Sequence, residues 1–107
     1  MAIHDYMTRP KVLGVTFEPG DPPQVGIFGG PAWKIVRGEV EIRNAQGTVL
    51  EWGPAEKKDY WRYKVTEPPP EDTPVVVVVT VADRLGKKTI VRYASPFLKK
   101  LKLVPPD

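Results

Sequence analysis

Apolar and polar residues alternate with a period of two along several short stretches of the chain. Between Glu39 and Arg43, for example, Val40 and Ile42 point one way and the charged residues point the other. This period is typical of a β-strand with one buried face. Similar stretches occupy 11–17, 48–52, 60–66 and 74–82. Because turns rich in Pro and Gly separate them, the pattern predicts short antiparallel strands.

The run of five valines belongs to a predicted hairpin. A three-residue loop within 83–87, with glycine at the left-handed position, closes it. This loop sets Val79 opposite Val91 and Val78 opposite Arg92. The odd-numbered valines then form the core face, and the even-numbered valines lie on the other face.

A second hairpin is predicted from the same turn chemistry. The loop within 44–48 also carries a glycine at its fourth position. This loop places Ile42 opposite Leu50 and Val40 opposite Trp52. Both pairs are apolar, as a buried face requires.

The C-terminal segment admits two structures. Ser95 as N-cap and Pro96 at the first position favour a short helix, whereas the segment could equally form a final edge strand. About eight residues are too few for an independently stable helix. Either form therefore depends on docking Phe97, Leu98 and Leu101 onto the body.

The segments VVVTVADRLGKKTIVRY and EVEIRNAQGTVLEW resemble strand pairs of bacterial immunoglobulin-like and fibronectin type III-like modules. The resemblance covers roughly residues 10–94 and implies an all-β fold, an immunoglobulin-like antiparallel sandwich of about seven strands. We expect one domain at 10–104, a flexible arm at 1–9 and a tail at 105–107. The resemblance also implies adhesion, scaffolding or domain-spacing work, and a fold alone does not imply a function.

The amino-acid composition excludes several kinds of site and segment. The chain has 107 residues and no cysteine, which excludes disulfides, thiolate metal sites and cysteine nucleophiles. Its apolar run is far shorter than the roughly 20 residues of a membrane-spanning helix. The N-terminus has no apolar signal-peptide region, which favours the cytoplasm, although the compartment stays open.

Candidate catalytic residues are sparse. His4 is the only histidine and Ser95 the only serine, and no nucleophile motif surrounds that serine. The acidic residues are spread over loops without calcium-site spacing, and the glycines match no phosphate-binding motif. We therefore predict a protein that is not an enzyme and needs no cofactor or metal.

Two binding surfaces remain as hypotheses. The first is an apolar face, bordered by charge, that contacts a protein partner or a second copy of the chain. Its residues are Val76, Val78, Ile90 and Arg92. The alternative is an anionic ligand, such as nucleic acid or an anionic surface, bound by the basic cluster of 84–102. Residues 84–107 contain seven basic residues and one acidic residue. The proposed contacts of this ligand are Lys87, Lys88, Lys99, Lys100 and Lys102.

Overall fold

The computed structural model describes residues 9–105, which contain nine β-strands and one short 3-10 helix at Ala32–Lys34. The strands are β1 (Lys11–Glu18), β2 (Gln24–Gly30), β3 (Ile35–Asn44), β4 (Val49–Pro54), β5 (Glu56–Lys57), β6 (Trp61–Lys64), β7 (Pro74–Asp83), β8 (Lys88–Pro96) and β9 (Lys102–Val104). Seven of these strands agree with the prediction of about seven, and β9 is the edge strand offered as an alternative for the C-terminal segment. The sequence does not predict β5, because a strand of two residues is too short to show alternation.

The strands form two antiparallel sheets packed together. The four-stranded sheet has the order β1-β2-β6-β5, and the five-stranded sheet has the order β4-β3-β7-β8-β9. The expectation of an all-β, two-sheet architecture is confirmed. In the five-stranded sheet β3 and β7 are neighbours, although three strands separate them along the chain, so the fold depends on non-local pairing.

The hydrophobic core lies between the sheets. Val77, Val79 and Val81 are fully buried in it, as the alternation of β7 predicts. Each fully buried valine contributes about 1.5 kcal/mol or more relative to an exposed one. The largest fully buried side chains are Phe97, Ile27, Ile42, Val25, Val40 and Val65.

The predicted β7–β8 hairpin is confirmed in loop and register. The Asp83 amide donates to Lys87 O at 3.0 Å, and Gly86 has a φ of 86°. The Asp83 carboxylate accepts hydrogen bonds from the Leu85 and Lys87 amides, at 3.0 and 2.9 Å. Val79 pairs with Val91 as expected, so the observed register is the one that the turn residues predict.

In the β3–β4 hairpin the predicted loop is confirmed, but the predicted register is wrong. The Asn44 amide donates to Thr48 O at 2.9 Å, and Gly47 has a φ of 88°. A bulge then adds Leu50 to β4, so Ile42 pairs with Glu51 rather than with Leu50.

The bulge changes the direction of every later side chain of β4. Val40 therefore pairs with Gly53, and Trp52 pairs with Glu41 on the solvent face. A Cβ on Gly53 would lie 3.0 Å from Cε1 of Tyr63, whose ring occupies the space that the predicted register gives to Trp52. Packing against the opposite sheet thus explains why the plain register is not adopted.

Glu51, which the bulge turns inward, joins the two sheets. Its carboxylate accepts hydrogen bonds from the Tyr63 hydroxyl, from the Thr66 amide at 3.0 Å and hydroxyl at 3.1 Å, and from the Glu67 amide at 3.0 Å. Burial would raise the pKa of Glu51, but these hydrogen bonds outweigh burial and lower it. Burial and the bond to Glu51 raise the pKa of Tyr63.

The C-terminal segment forms an edge strand, so the helix alternative is wrong. Ser95 and Pro96 end β8 instead of beginning a helix, and β9 pairs with β8 through residues 92–94. The chain turns after Pro96, where the Phe97 amide donates to Thr73 O at 2.8 Å. Phe97 and Leu101 are buried, and Leu98 packs partly against the core, as the docking prediction requires.

The predicted arm at 1–9 and its His4 lie outside the described residues except for Arg9. Arg9 donates from Nη1 to Lys88 O at 2.8 Å, and the Thr89 hydroxyl donates to Pro10 O. The start of the described chain therefore contacts β8 of the five-stranded sheet.

Candidate interaction face

The outer face of the five-stranded sheet carries the predicted partner-binding residues. We call this surface, formed by residues 39, 41, 43, 49, 52, 54, 76, 78, 80, 90, 92, 94, 102 and 104, the interaction face. In each row of the sheet, directly paired residues point to the same side, so the register determines which side chains are neighbours. Four of these positions are Val76, Val78, Ile90 and Arg92, and all four lie on this one face.

The two even-numbered valines are less exposed than the sequence suggests. Val78 is 7% exposed and Val76 is half-buried. Both occupy the central strand, where Glu41 and Arg92 flank Val78, and Arg43 and Ala94 flank Val76. Ile90, at 60%, is the exposed apolar member of the predicted set.

Trp52 also belongs to this face, and the sequence-based register missed it. Its side chain is 67% exposed, although the predicted pairing with Val40 would have buried it. No local signal in the sequence marks the bulge at Leu50. The exposure of Trp52 favours a contact role for this face, because Trp is enriched at protein contact sites.

The central row of the face alternates apolar and charged residues. Across β4, β3, β7, β8 and β9 its members are Trp52, Glu41, Val78, Arg92 and Val104. Arg43 Nε donates to Glu41 Oε1 along β3. Arg92 has no hydrogen bond or ion pair with any residue in the described range.

The lysines of the alternative hypothesis do not form one surface. Lys87 and Lys88 lie at the β7–β8 turn, whereas Lys102 pairs with Ala94 near the other end of β8. Six residues of strand separate these ends, a distance of about 20 Å.

One lysine of the basic cluster forms ion pairs with neighbouring acidic residues. Lys99 forms ion pairs with Glu71 at 3.2 Å and Asp72 at 3.6 Å. The hydrogen bond from Lys99 to Glu71, followed by the charge of Asp72, raises the pKa of Lys99. A ligand bound to all five lysines would have to span both ends of the sheet, and binding of an anion by them stays a prediction.

The outer face of the four-stranded sheet carries an aromatic and basic cluster. The rings of Phe28 and Tyr60 stack with centroids 4.9 Å apart, and the Arg62 guanidinium lies 4.4 Å from the Tyr60 centroid. The Tyr60 hydroxyl donates to Glu18 at 2.5 Å, and this hydrogen bond raises the pKa of Tyr60. These side chains contact one another, so the cluster is explained by its own packing.

An open depression of about 270 Å³ lies beside this cluster, lined in part by Lys58, Arg62 and Lys64. Asp59 lies 3.6 Å from Arg62 and supplies a counter-charge. Within residues 9–105, no group of three or more His, Asp or Glu side chains is arranged to hold a metal ion.

Comparison with known proteins does not assign this chain to a family. No protein-family model, curated protein or solved structure matches this chain. Within the described part of the chain, no helix has the length and apolar character needed to cross a membrane.

Proposed function

We propose that this chain is a non-catalytic, immunoglobulin-like protein-interaction module that binds its partner through the interaction face. The strand order supports the immunoglobulin-like assignment. Taking β1, β2, β3, β4, β6, β7 and β8 as strands A, B, C, C′, E, F and G, one sheet has the order A-B-E with β5 added beside E. The other has the order C′-C-F-G with β9 added beside G. Immunoglobulin-like sandwiches divide their strands between sheets in this way.

A binding role is supported by what the interaction face exposes. Trp52 and Ile90 present large apolar side chains to solvent at opposite sides of the sheet, with Val76 and Val78 between them. Apolar anchors surrounded by charged side chains are typical of protein contact surfaces. The exposed apolar pair is the single observation that carries the proposal.

A non-catalytic role is supported by the structural use of two acids, the buried Asp83 and the half-buried Glu51. Asp83 holds the β7–β8 turn through two backbone amides, and Glu51 connects the two sheets through Tyr63 and the segment after β6. Both oxygens of Glu51 thus accept hydrogen bonds, whereas Asp83 accepts through Oδ1 and its buried Oδ2 has no hydrogen-bond partner among the described residues.

The proposal is tested by comparing captured proteins between matched variants. Trp52→Ser and Ile90→Lys alter the interaction face, while Trp33→Ser and Leu13→Lys alter residues that are 73% and 69% exposed elsewhere. All four immobilised variants are incubated with an extract of the native cells, and bound proteins, including this chain itself, are identified by mass spectrometry.

We expect the first two variants to lose a partner that the wild type and the two controls retain. If all four variants retain the same proteins as the wild type, or if the controls lose them equally, the interaction face is not the contact surface.

A further inference from the structure

The charged and apolar side chains of the central row are arranged symmetrically about Val78. Counted outward from Val78, the neighbours are Glu41 on one side and Arg92 on the other, and the next residues are Trp52 and Val104. Opposite charges therefore lie at equal distances from the central strand, and apolar side chains lie beyond both.

We propose that the partner is a second copy of this chain, packed face to face about a two-fold axis parallel to β7. This inference rests on the proposed function, because it uses the same face. The axis exchanges the two sides of the sheet, so Glu41 of each copy lies over Arg92 of the other. Trp52 likewise lies over Val104, and Val78 meets its own symmetry mate. An isologous contact of this kind needs a self-complementary surface.

The charges select this axis over the other simple one. A two-fold axis running across the strands would place Arg92 over Arg92 and Glu41 over Glu41. Like charges opposed in a contact cost several kcal/mol. The axis parallel to β7 instead gives Arg92 the acidic partner that it lacks within the described chain.

The rows on either side set the limits of the contact. In the Val76 row, Arg43 lies over Ala94 and Lys102 lies over Val49, so no like charges are directly opposed there. Beyond the Thr80 row, Ala82 is flanked by Arg37 and Lys88, whose positive charges would oppose each other and end the contact.

The size of the contact follows from sheet dimensions. Three rows across five strands cover about 500 Å² per copy, or about 1,000 Å² for both, which is near the lower limit of specific interfaces. We therefore expect a concentration-dependent dimer rather than an obligate one.

Charge reversal tests the arrangement directly. Sedimentation equilibrium of the full chain is measured over a range of concentrations for Glu41→Arg, Arg92→Glu, their equimolar mixture and the double variant. Each single variant opposes like charges twice, so its association constant should fall at least tenfold. Both the mixture and the double variant restore two opposite-charge pairs and should return toward the wild-type value.

Two further measurements keep the test conclusive. Thermal unfolding checks that Glu41→Arg, which also loses its ion pair with Arg43, remains folded. Glu56→Arg and Lys64→Glu, on exposed positions of the other sheet, are matched controls that should leave association unchanged. The mixture remains informative even if one single variant is less stable.

Several results would overturn the inference. A wild-type chain that stays monomeric at the highest concentration excludes the second copy, while the capture experiment still decides separately whether the face binds another protein. Single reversals without effect would favour the axis across the strands or a different surface. Folded variants whose mixture does not recover association would exclude the Glu41–Arg92 contact.

Discussion

Replacing Glu51 by Gln removes the charge that joins the two sheets while keeping the side-chain size. The carboxylate receives hydrogen bonds from four donors on Tyr63, Thr66 and Glu67. A glutamine offers only one acceptor oxygen, and its amide nitrogen, which is itself a donor, would lie against one of these donors. The variant therefore loses at least one hydrogen bond and the charge assistance of the others.

The magnitude follows from which donors are buried. Hydrogen bonds to charged groups contribute about 1.5–3 kcal/mol each, and a buried donor left without a partner costs about 1–3 kcal/mol. Thr66 and Glu67 are exposed and can bind water, whereas Tyr63 is buried. We expect Glu51→Gln to lower the free energy of unfolding by about 2 kcal/mol, and Glu51→Ala by about 3 kcal/mol. For a domain of this size, 2 kcal/mol lowers the Tm by about 10 °C.

The assay is urea unfolding at several pH values, with Tyr63→Phe completing a double-mutant cycle. Because the folded pKa of Glu51 lies below its ordinary value of 4.5, its stabilisation is present above pH 4.5 and is lost as pH falls through the folded pKa. The raised pKa of Tyr63 works in the opposite sense, since its stabilisation is present below its ordinary value of 10.0 and is lost at higher pH.

Glu51→Gln should flatten the acid side of the stability profile, whereas Glu56→Gln, at an exposed position, should leave it unchanged. A Glu51→Gln variant with wild-type stability and an unaltered acid limb would refute the structural role assigned to this carboxylate.

Two pairs of substitutions give independent checks of the fold by thermal or urea unfolding. Phe97→Ala should cost about 3–5 kcal/mol, because the ring is buried and packs edge-on against Phe17 at 5.0 Å, whereas Ile90→Ala on the exposed face should change stability by under about 1 kcal/mol. Gly86→Ala should cost about 1 kcal/mol, since its φ is 86°, while Gly14→Ala, with open space at the Cβ position, should not destabilise the protein. Equal losses within either pair would contradict the structure.

Local turn chemistry explains why one hairpin could be predicted completely. Asp83 caps the amides of its own loop and Gly86 adopts the left-handed conformation, so the register of β7 and β8 depends on residues that are adjacent in sequence. The same local signals predict the loop at 44–48. They do not predict the bulge at Leu50, because its cause lies in the other sheet.

The interaction face also has a part that the sequence predicts and a part that depends on the tertiary structure. Alternation along β7 and β8 places Val76, Val78, Ile90 and Arg92 on one face, and the structure has them there. The exposure of Trp52 follows from the β3–β4 register, which the alternation of each strand by itself could not supply.

The amino-acid sequence by itself thus determined most of the strands, the two turns and the core face of β7, because these depend on a period of two and on backbone preferences within a few residues. The tertiary structure decided the bulge, the inward position of Glu51 and the composition of the interaction face. The physical reason is steric and electrostatic: the Tyr63 ring packs on Gly53, and its hydroxyl hydrogen-bonds Glu51 from the opposite sheet. Contacts between residues distant in the chain set the register there, and with it the side of the sheet on which each side chain lies.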